Sequence, residues 1–245
     1  MPAQPPPLGA LTHKGTEPST GGTIRVGLSN DVEKKGVSFG NVVTLIEREL
    51  GDEWVTPFLG NHDTNRIANA VGYYNPTNVK MAAGLLALMR GSIFVYYGDE
   101  IGMVGTGNDP NKRIGMFWDK KMNICRHPVG TTVAEYPFPS VEKQQADELS
   151  ILAYYQDAMQ LRLSHPEIAR GTSTVLESPD DNVAMVVREY DGQRLLMILN
   201  MNIDDYTLTV PDGFTAISGE LEVWGNAALE NGQLTIPAYG IVLMR

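Results

Sequence analysis

Apolar and polar positions change rhythm twice along the chain. Residues 1–22 show no period: Pro2, Pro5, Pro6, Pro7 and Pro18 lie among Ser, Thr and Gly, a mixture unsuited to helix or sheet interiors and read as a disordered or extended lead. From 23 to 171, short apolar runs alternate with helical faces. Val42 to Leu50, stopped by Gly51, reads as a short amphipathic helix, and Val55 to Leu59 as a strand despite Pro57. Over 78–90, Met81, Leu85, Leu88 and Met89 form a helical stripe. Ile93 to Tyr97, ended by Gly98, is a continuous apolar run, as expected of a strand buried on both faces. Residues 102–139 are Gly- and Pro-rich without a period and read as a long irregular excursion. Ser140 is placed to cap a helix whose face is Leu152, Tyr155, Met159 and Leu163, ending at Pro166. The order helix, strand, helix, strand, helix predicts parallel strands joined by crossover helices.

After Gly171 the pattern turns to short strands. Val183–Tyr190 and Gln193–Met201 flank Asp191-Gly192, a type I′ hairpin signal. Further strands are expected at 206–210, 221–224, 234–236 and 241–244, with a tight turn at Asn231-Gly232. Six strand candidates over 172–245 suggest a small antiparallel β-sandwich. No internal repeat is visible.

Composition narrows the function classes. The 245 residues are 42% apolar and 20% charged, with a net charge of −10 and a pI near 4.8. This is a globular balance, and with no Lys/Arg-rich run it argues against nucleic acid or an anionic membrane as partner. The richest apolar stretch is broken by Arg90 and Gly91, so no membrane span is expected. No signal peptide is visible at Met1-Pro2-Ala3-Gln4, and the compartment stays unknown because the N-terminus could be incomplete. The single cysteine, Cys125, excludes an internal disulfide and any CxxC metal site.

The densest candidate chemistry is Asn61-His62-Asp63, just past the predicted 55–59 strand. Parallel α/β folds place active-site groups there, where a carboxylate can bind sugar hydroxyls, hold a cation or stabilise a cationic transition state. The same three residue types also populate turns for local reasons. Asp99 and Glu100 are adjacent carboxylates after a strand, and neighbours on an extended chain point to opposite sides, favouring a structural role. Asn108, Asp109 and Asn111 read as an ordinary turn or a cation loop. Trp118, Tyr73 and Tyr74 read as packing or sugar-stacking rings, and His13, His127 and His165 have no partner pattern.

Context adds a family. Phe58-Leu59-Gly60-Asn61-His62-Asp63 resembles the Phe-x-x-Asn-His-Asp motif on barrel strand seven of the alpha-amylase family of glycoside hydrolases. In the family's order follow Tyr96-Tyr97-Gly98-Asp99-Glu100-Ile101-Gly102-Met103, similar to strand eight, and Arg113-Ile114-Gly115-Met116-Phe117-Trp118, similar to its Arg-x-Pro-Met-x-Trp segment with Gly115 in place of proline. Ser140–Gln144 with Ser150–Tyr155 and Leu161-Arg162 resembles the eighth barrel helix, and Pro237–Gly240 the closing strand of the C-terminal β-domain. The resemblance covers roughly 40–245. It implies an α/β plus all-β fold: a partial (β/α)8 barrel equivalent to the last two βα units over 23–171, then the small antiparallel β-sandwich over 172–245.

The resemblance also implies roles. Asp63 matches the catalytic aspartate that stabilises the oxocarbenium-like transition state, and His62 the substrate-binding histidine at the cleavage subsite. Arg66 lies where relatives place a substrate-facing arginine, with a structural ion pair as the other reading. No metal ligand or cofactor is assigned; calcium occurs in the full-length family, but no site for it can be named here.

Retaining hydrolysis needs a nucleophile and an acid/base about 5–5.5 Å apart. The family's Gly-x-Arg-x-Asp nucleophile motif, its Glu after strand five and its Asp-x-x-x-Asn-His motif are absent. Glu17, Asp31, Glu33, Glu47, Glu49, Asp52 and Glu53 lie in no such motif, and 23–171 falls short of the roughly 250 residues of a whole barrel. The expectation is therefore an N-terminally truncated portion of a hydrolase of α-1,4-glucans, inactive alone. The alternatives are a non-catalytic module binding α-glucan or maltooligosaccharide, or a structural protein whose open barrel edge takes a complementing chain or a second copy.

Overall fold

The computed structural model describes residues 9–11, 23–25, 35–72, 74–119, 121 and 126–245. Of the lead read as disordered, only Gly9–Leu11 (β1) is described, paired antiparallel with Thr23–Arg25 (β2); the rest lies outside the described residues. So do His13, Glu17, Asp31, Glu33, Tyr73 and Cys125.

The helical part comprises α1 (Lys35–Leu50), α2 (Ile67–Ala70), α3 (Pro76–Ala87), α4 (Asp109–Lys112), α5 (Val141–Gln145), α6 (Ile151–Ser164) and α7 (Pro166–Arg170). In α1 the apolar face is Phe39, Val42, Val43 and Ile46, all buried. Its start lies against the sheet that follows: a Cβ on Gly36 would fall 2.4 Å from the Val183 backbone. Helix α3 begins at Pro76 under an Asn75 cap, whose side chain accepts from the Asn78 N–H. The predicted stripe Met81, Leu85, Leu88 and Met89 is buried.

The single helix expected after Ser140 is two. Ser140 makes no cap bond; Ser150 caps α6 by accepting from the Ala153 N–H at 3.0 Å. The break is pinned by Gln144, which donates to Ile101 O and Pro139 O and accepts from the Leu152 N–H. The buried face of α6 is Ile151, Tyr154, Tyr155 and Ala158, rotated from the predicted stripe, and Leu163 is exposed.

The predicted strands at 55–59 and 93–97 run parallel, as expected, but meet in one bridge, Phe58 to Phe94. Ser92 N–H donates to Val55 O and Phe94 N–H to Pro57 O, both at 2.9 Å. Pro57 has no N–H to return, so the ladder stops there. The expectation of burial on both faces fails: Phe94 is 59% exposed, and Val95 and Tyr97 are exposed too. Burying a second face takes a layer packed against it, as the opposite wall of a closed barrel would supply, and no such layer lies among the described residues.

The C-terminal part is eight strands: β3 (Thr172–Leu176), β4 (Val183–Tyr190), β5 (Gln193–Asn200), β6 (Tyr206–Thr209), β7 (Ile217–Leu221), β8 (Ala228–Glu230), β9 (Gln233–Ile236) and β10 (Ile241–Met244). They form a five-stranded antiparallel sheet, β3-β4-β5-β10-β7, and a three-stranded one, β6-β9-β8. The sequence pattern misses β3 and β8 and sets β7 four residues late. Both predicted hairpin turns hold, with Asp191 and Gly192 at φ 51° and 71° and Asn231 and Gly232 at 50° and 77°.

The five-stranded sheet is the middle layer. Met185, Leu196, Ile198 and Val242 pack on Leu208, Leu234 and Ile236 of the small sheet. From the other face, Val186, Leu195, Met197 and Leu243 join the helical core. That double burial explains the unbroken apolar runs of β4 and β5.

Candidate functional site

The site begins with a local turn. Asn61 Oδ1 accepts from the backbone N–H of Asp63 (2.9 Å) and of Thr64 (3.1 Å), while Asn61 N–H donates to Thr64 Oγ1. This Asx turn holds His62 and Asp63 outward at the end of the 55–58 segment. Their side chains meet, with Nε2 3.3 Å from Oδ2, and both are more than half exposed. They sit beside an open groove of about 530 Å³ lined by Thr56, Phe58, Gly60, Asn61, Phe94, Val95 and Tyr96.

A cationic clamp closes on this turn from α4. Arg113 Nη2 lies 3.1 Å from Asp63 Oδ1 and 3.4 Å from Asp109 Oδ2, and its Nε donates to His62 O at 3.2 Å. Lys112 Nζ donates to Asp63 O (2.9 Å) and to Asp109 (3.2 Å). Asp109, read from sequence as part of an ordinary turn, thus ties together the two cations that hold Asp63. The sequence alone assigns no role to Arg113 or Lys112. Arg113 opens the Arg-x-Pro-Met-x-Trp-like segment, and that was the available signal.

Arg66 does not share the open side with His62 and Asp63. Its side chain is fully buried over the rings of Tyr96 and Tyr97, with Cζ 4.2 and 4.6 Å from their centroids. It donates through Nε to Lys112 O at 2.9 Å and through Nη1 to Tyr97 O, and Nη1 lies 3.4 Å from Asp99 Oδ1. Burial raises the Asp99 carboxyl from 3.8 to about 7; the facing Arg66 opposes this and Glu100 adds to it. Desolvation therefore outweighs the pairing. Asp99 and Glu100 sit in a 3-10 turn, 99–101, entered at Gly98 with φ 86°.

The remaining candidates fall elsewhere. Asn111 Oδ1 accepts from the Thr132 and Val133 N–H groups, fastening the excursion. His127 accepts from the Gly115 N–H, and His165 bridges Leu161 O and Ser218 Oγ. Trp118 and Tyr74 are exposed. Glu47 pairs with buried Arg90 and Arg188. Among the described residues, no group of three or more His, Cys, Asp or Glu could hold a metal ion, and no helix is long and apolar enough to cross a membrane.

Comparison with known proteins shows what the chain as a whole is similar to. Residues 30–171 match the family described as the alpha amylase catalytic domain. The chain is 25% identical over 206 residues to the probable oligo-1,6-glucosidase 2 of Bacillus subtilis, covering 66% of this chain and 37% of that protein. It is 31% identical over 152 residues to the alpha-amylase SusG of Bacteroides thetaiotaomicron, covering 58% and 22%. Among solved structures, Eubacterium rectale Amy13B superposes with a TM-score of 0.80 at 32% identity, over 86% of this chain and 43% of that one. The alpha-amylase from H. orenii, at 23% identity and a TM-score of 0.70 over 86% and 44%, shares the fold. The chain thus spans less than half the length of these relatives.

Proposed function

Because this chain belongs to the alpha-amylase catalytic-domain family, we propose that its Asn61–Asp63 turn is the sugar-contacting edge of a retaining α-glucan hydrolase. The observation that carries the reading is the exposed His62–Asp63 pair, held by Arg113 beside an open groove. An ionised Asp63 accepts hydrogen bonds from vicinal sugar hydroxyls and offsets positive charge developing at the anomeric carbon. His62 donates from its imidazole to a hydroxyl of the same sugar. Arg113 keeps the Asp63 carboxylate oriented, so less freedom is lost on binding.

The cleavage step calls for two further carboxylates, and none in this chain lies in the family's nucleophile or acid/base motif. We therefore assign to this chain sugar binding without turnover. Its natural ligand is a maltooligosaccharide with α-1,4 linkages. The oligo-1,6-glucosidase among its relatives makes an α-1,6-linked oligosaccharide the second ligand to try. The apolar groove favours a further reading, in which the face seats a complementing chain or a second copy.

Calorimetric titration with maltotriose and isomaltotriose tests the reading, in the wild type and in Asp63→Ala. Weak binding in the millimolar range is expected, reduced at least about tenfold in Asp63→Ala, a loss equivalent to about 1.4 kcal/mol. Equal binding by both proteins, or release of reducing ends by the purified chain alone, contradicts it.

A further inference from the structure

The clamp on Asp63 is itself held from inside the protein. Lys112 and Arg113 lie at the end of α4, a four-residue helix closed by one backbone bond of its own, Arg113 N–H to Pro110 O at 3.2 Å, and short helices depend on outside partners for their ends. The buried partner of that end is Arg66. Its Nε donates to the Lys112 carbonyl, while Nη1 is anchored on Tyr97 O and Asp99 and the guanidinium rests on two tyrosine rings. The segment ahead of α4 is tied to the same region, with Arg66 N–H donating to Gly105 O at 3.0 Å and Gly105 N–H to the Asn69 side-chain Oδ1 at 2.6 Å.

We propose that Arg66 is a positioning residue, setting the Arg113–Asp63 contact through the Lys112 carbonyl. The chemistry calls for arginine. A planar fork can donate to Lys112 O from one nitrogen and to Tyr97 O and Asp99 from another, and its flat face stacks on the rings. A lysine at 66 offers one compact ammonium and cannot hold both sides at once. It leaves the Lys112 carbonyl, or Asp99, without its donor. The end of α4 then opens, Arg113 leaves Asp63, and the exposed carboxylate loses its fixed orientation. The consequence for sugar affinity rests on the function proposed above; the positional claim does not.

Limited trypsin digestion of the full chain, read bond by bond by mass spectrometry, tests this directly, because Lys112 and Arg113 are themselves trypsin sites. Cleavage after either residue is expected to be at least about tenfold faster in Arg66→Lys than in the wild type, with cleavage within 183–200 unchanged. A folded Arg66→Lys protein cleaved there at the wild-type rate overturns the proposal.

Asp109→Asn supplies the second arm, since its exposed side chain pairs with both cations. Cleavage near the wild-type rate is expected. A rise of about tenfold would place the restraint in Asp109 and overturn the role of Arg66, even should Arg66→Lys not fold. Maltotriose titration of the same proteins separates the two claims. Fast cleavage with weakened binding in Arg66→Lys supports both, whereas fast cleavage with binding unchanged upholds the positioning and contradicts the sugar reading.

Discussion

At the residue scale the buried Asp99 gives the clearest dependence on pH. Its carboxyl titrates near 7 in the folded protein against 3.8 ordinarily, because burial outweighs the attraction of Arg66. The folded state therefore holds a proton that the unfolded chain has released. The stability contributed by this group is full below about pH 4, declines as pH rises and is lost above about pH 7. Denaturant midpoints should fall across that window, and Asp99→Asn should remove this component of the slope; an identical slope in the variant contradicts the assignment. Adjacency decided how much of the site was legible. His62 and Asp63 are neighbours in a contiguous motif, and the turn that presents them is written in Asn61 and Thr64. Arg113 reaches Asp63 from fifty residues away, and no local pattern encodes such a meeting. Arg66 lies three residues from Asp63, but spacing does not say which way a side chain points. Tyr96, Tyr97 and Asp99 settle that by burying it.

Among the elements, two serines that look alike in sequence should behave differently. Ser150→Ala removes the cap of α6 and is expected to cost about 1 kcal/mol. Ser140→Ala should be nearly neutral, since the buried Ser140 Oγ has no hydrogen-bond partner. Chemical denaturation of both variants checks the pair, and equal losses contradict it. A Cβ at position 36 meets the Val183 backbone, which cannot swing aside as a side chain would. Gly36→Ala is therefore expected to destabilise by about 1–3 kcal/mol, against the gain alanine ordinarily brings to a helix. The hairpins were legible because Asp-Gly and Asn-Gly supply the positive φ their turns require. Elsewhere a missing donor and a long-range contact decided the outcome. Pro57 limits the parallel pair to one bridge, and Gln144 breaks a helix that its apolar spacing would allow to continue.

For the whole molecule, a five-stranded sheet is packed on both faces, by helices on one side and a small sheet on the other, and a parallel pair is left with one side bare. Among the described residues no closed barrel forms: the helical part supplies a single parallel bridge, and the C-terminal strands build two antiparallel sheets of their own. The bare side, with Phe94 at its centre, predicts reversible self-association opposed by the net charge of −10. Light scattering should show association rising with salt and weakened in Phe94→Ser; salt-independent monomers contradict that expectation. The central claim, that the open end of the parallel pair is a sugar edge, is tested most directly by following backbone amide NMR shifts as maltotriose is added. The account predicts saturable shifts at residues 61–66 and at Arg113, absent in Asp63→Ala. Shifts confined to the sheets of 172–245, or none at all, would contradict it.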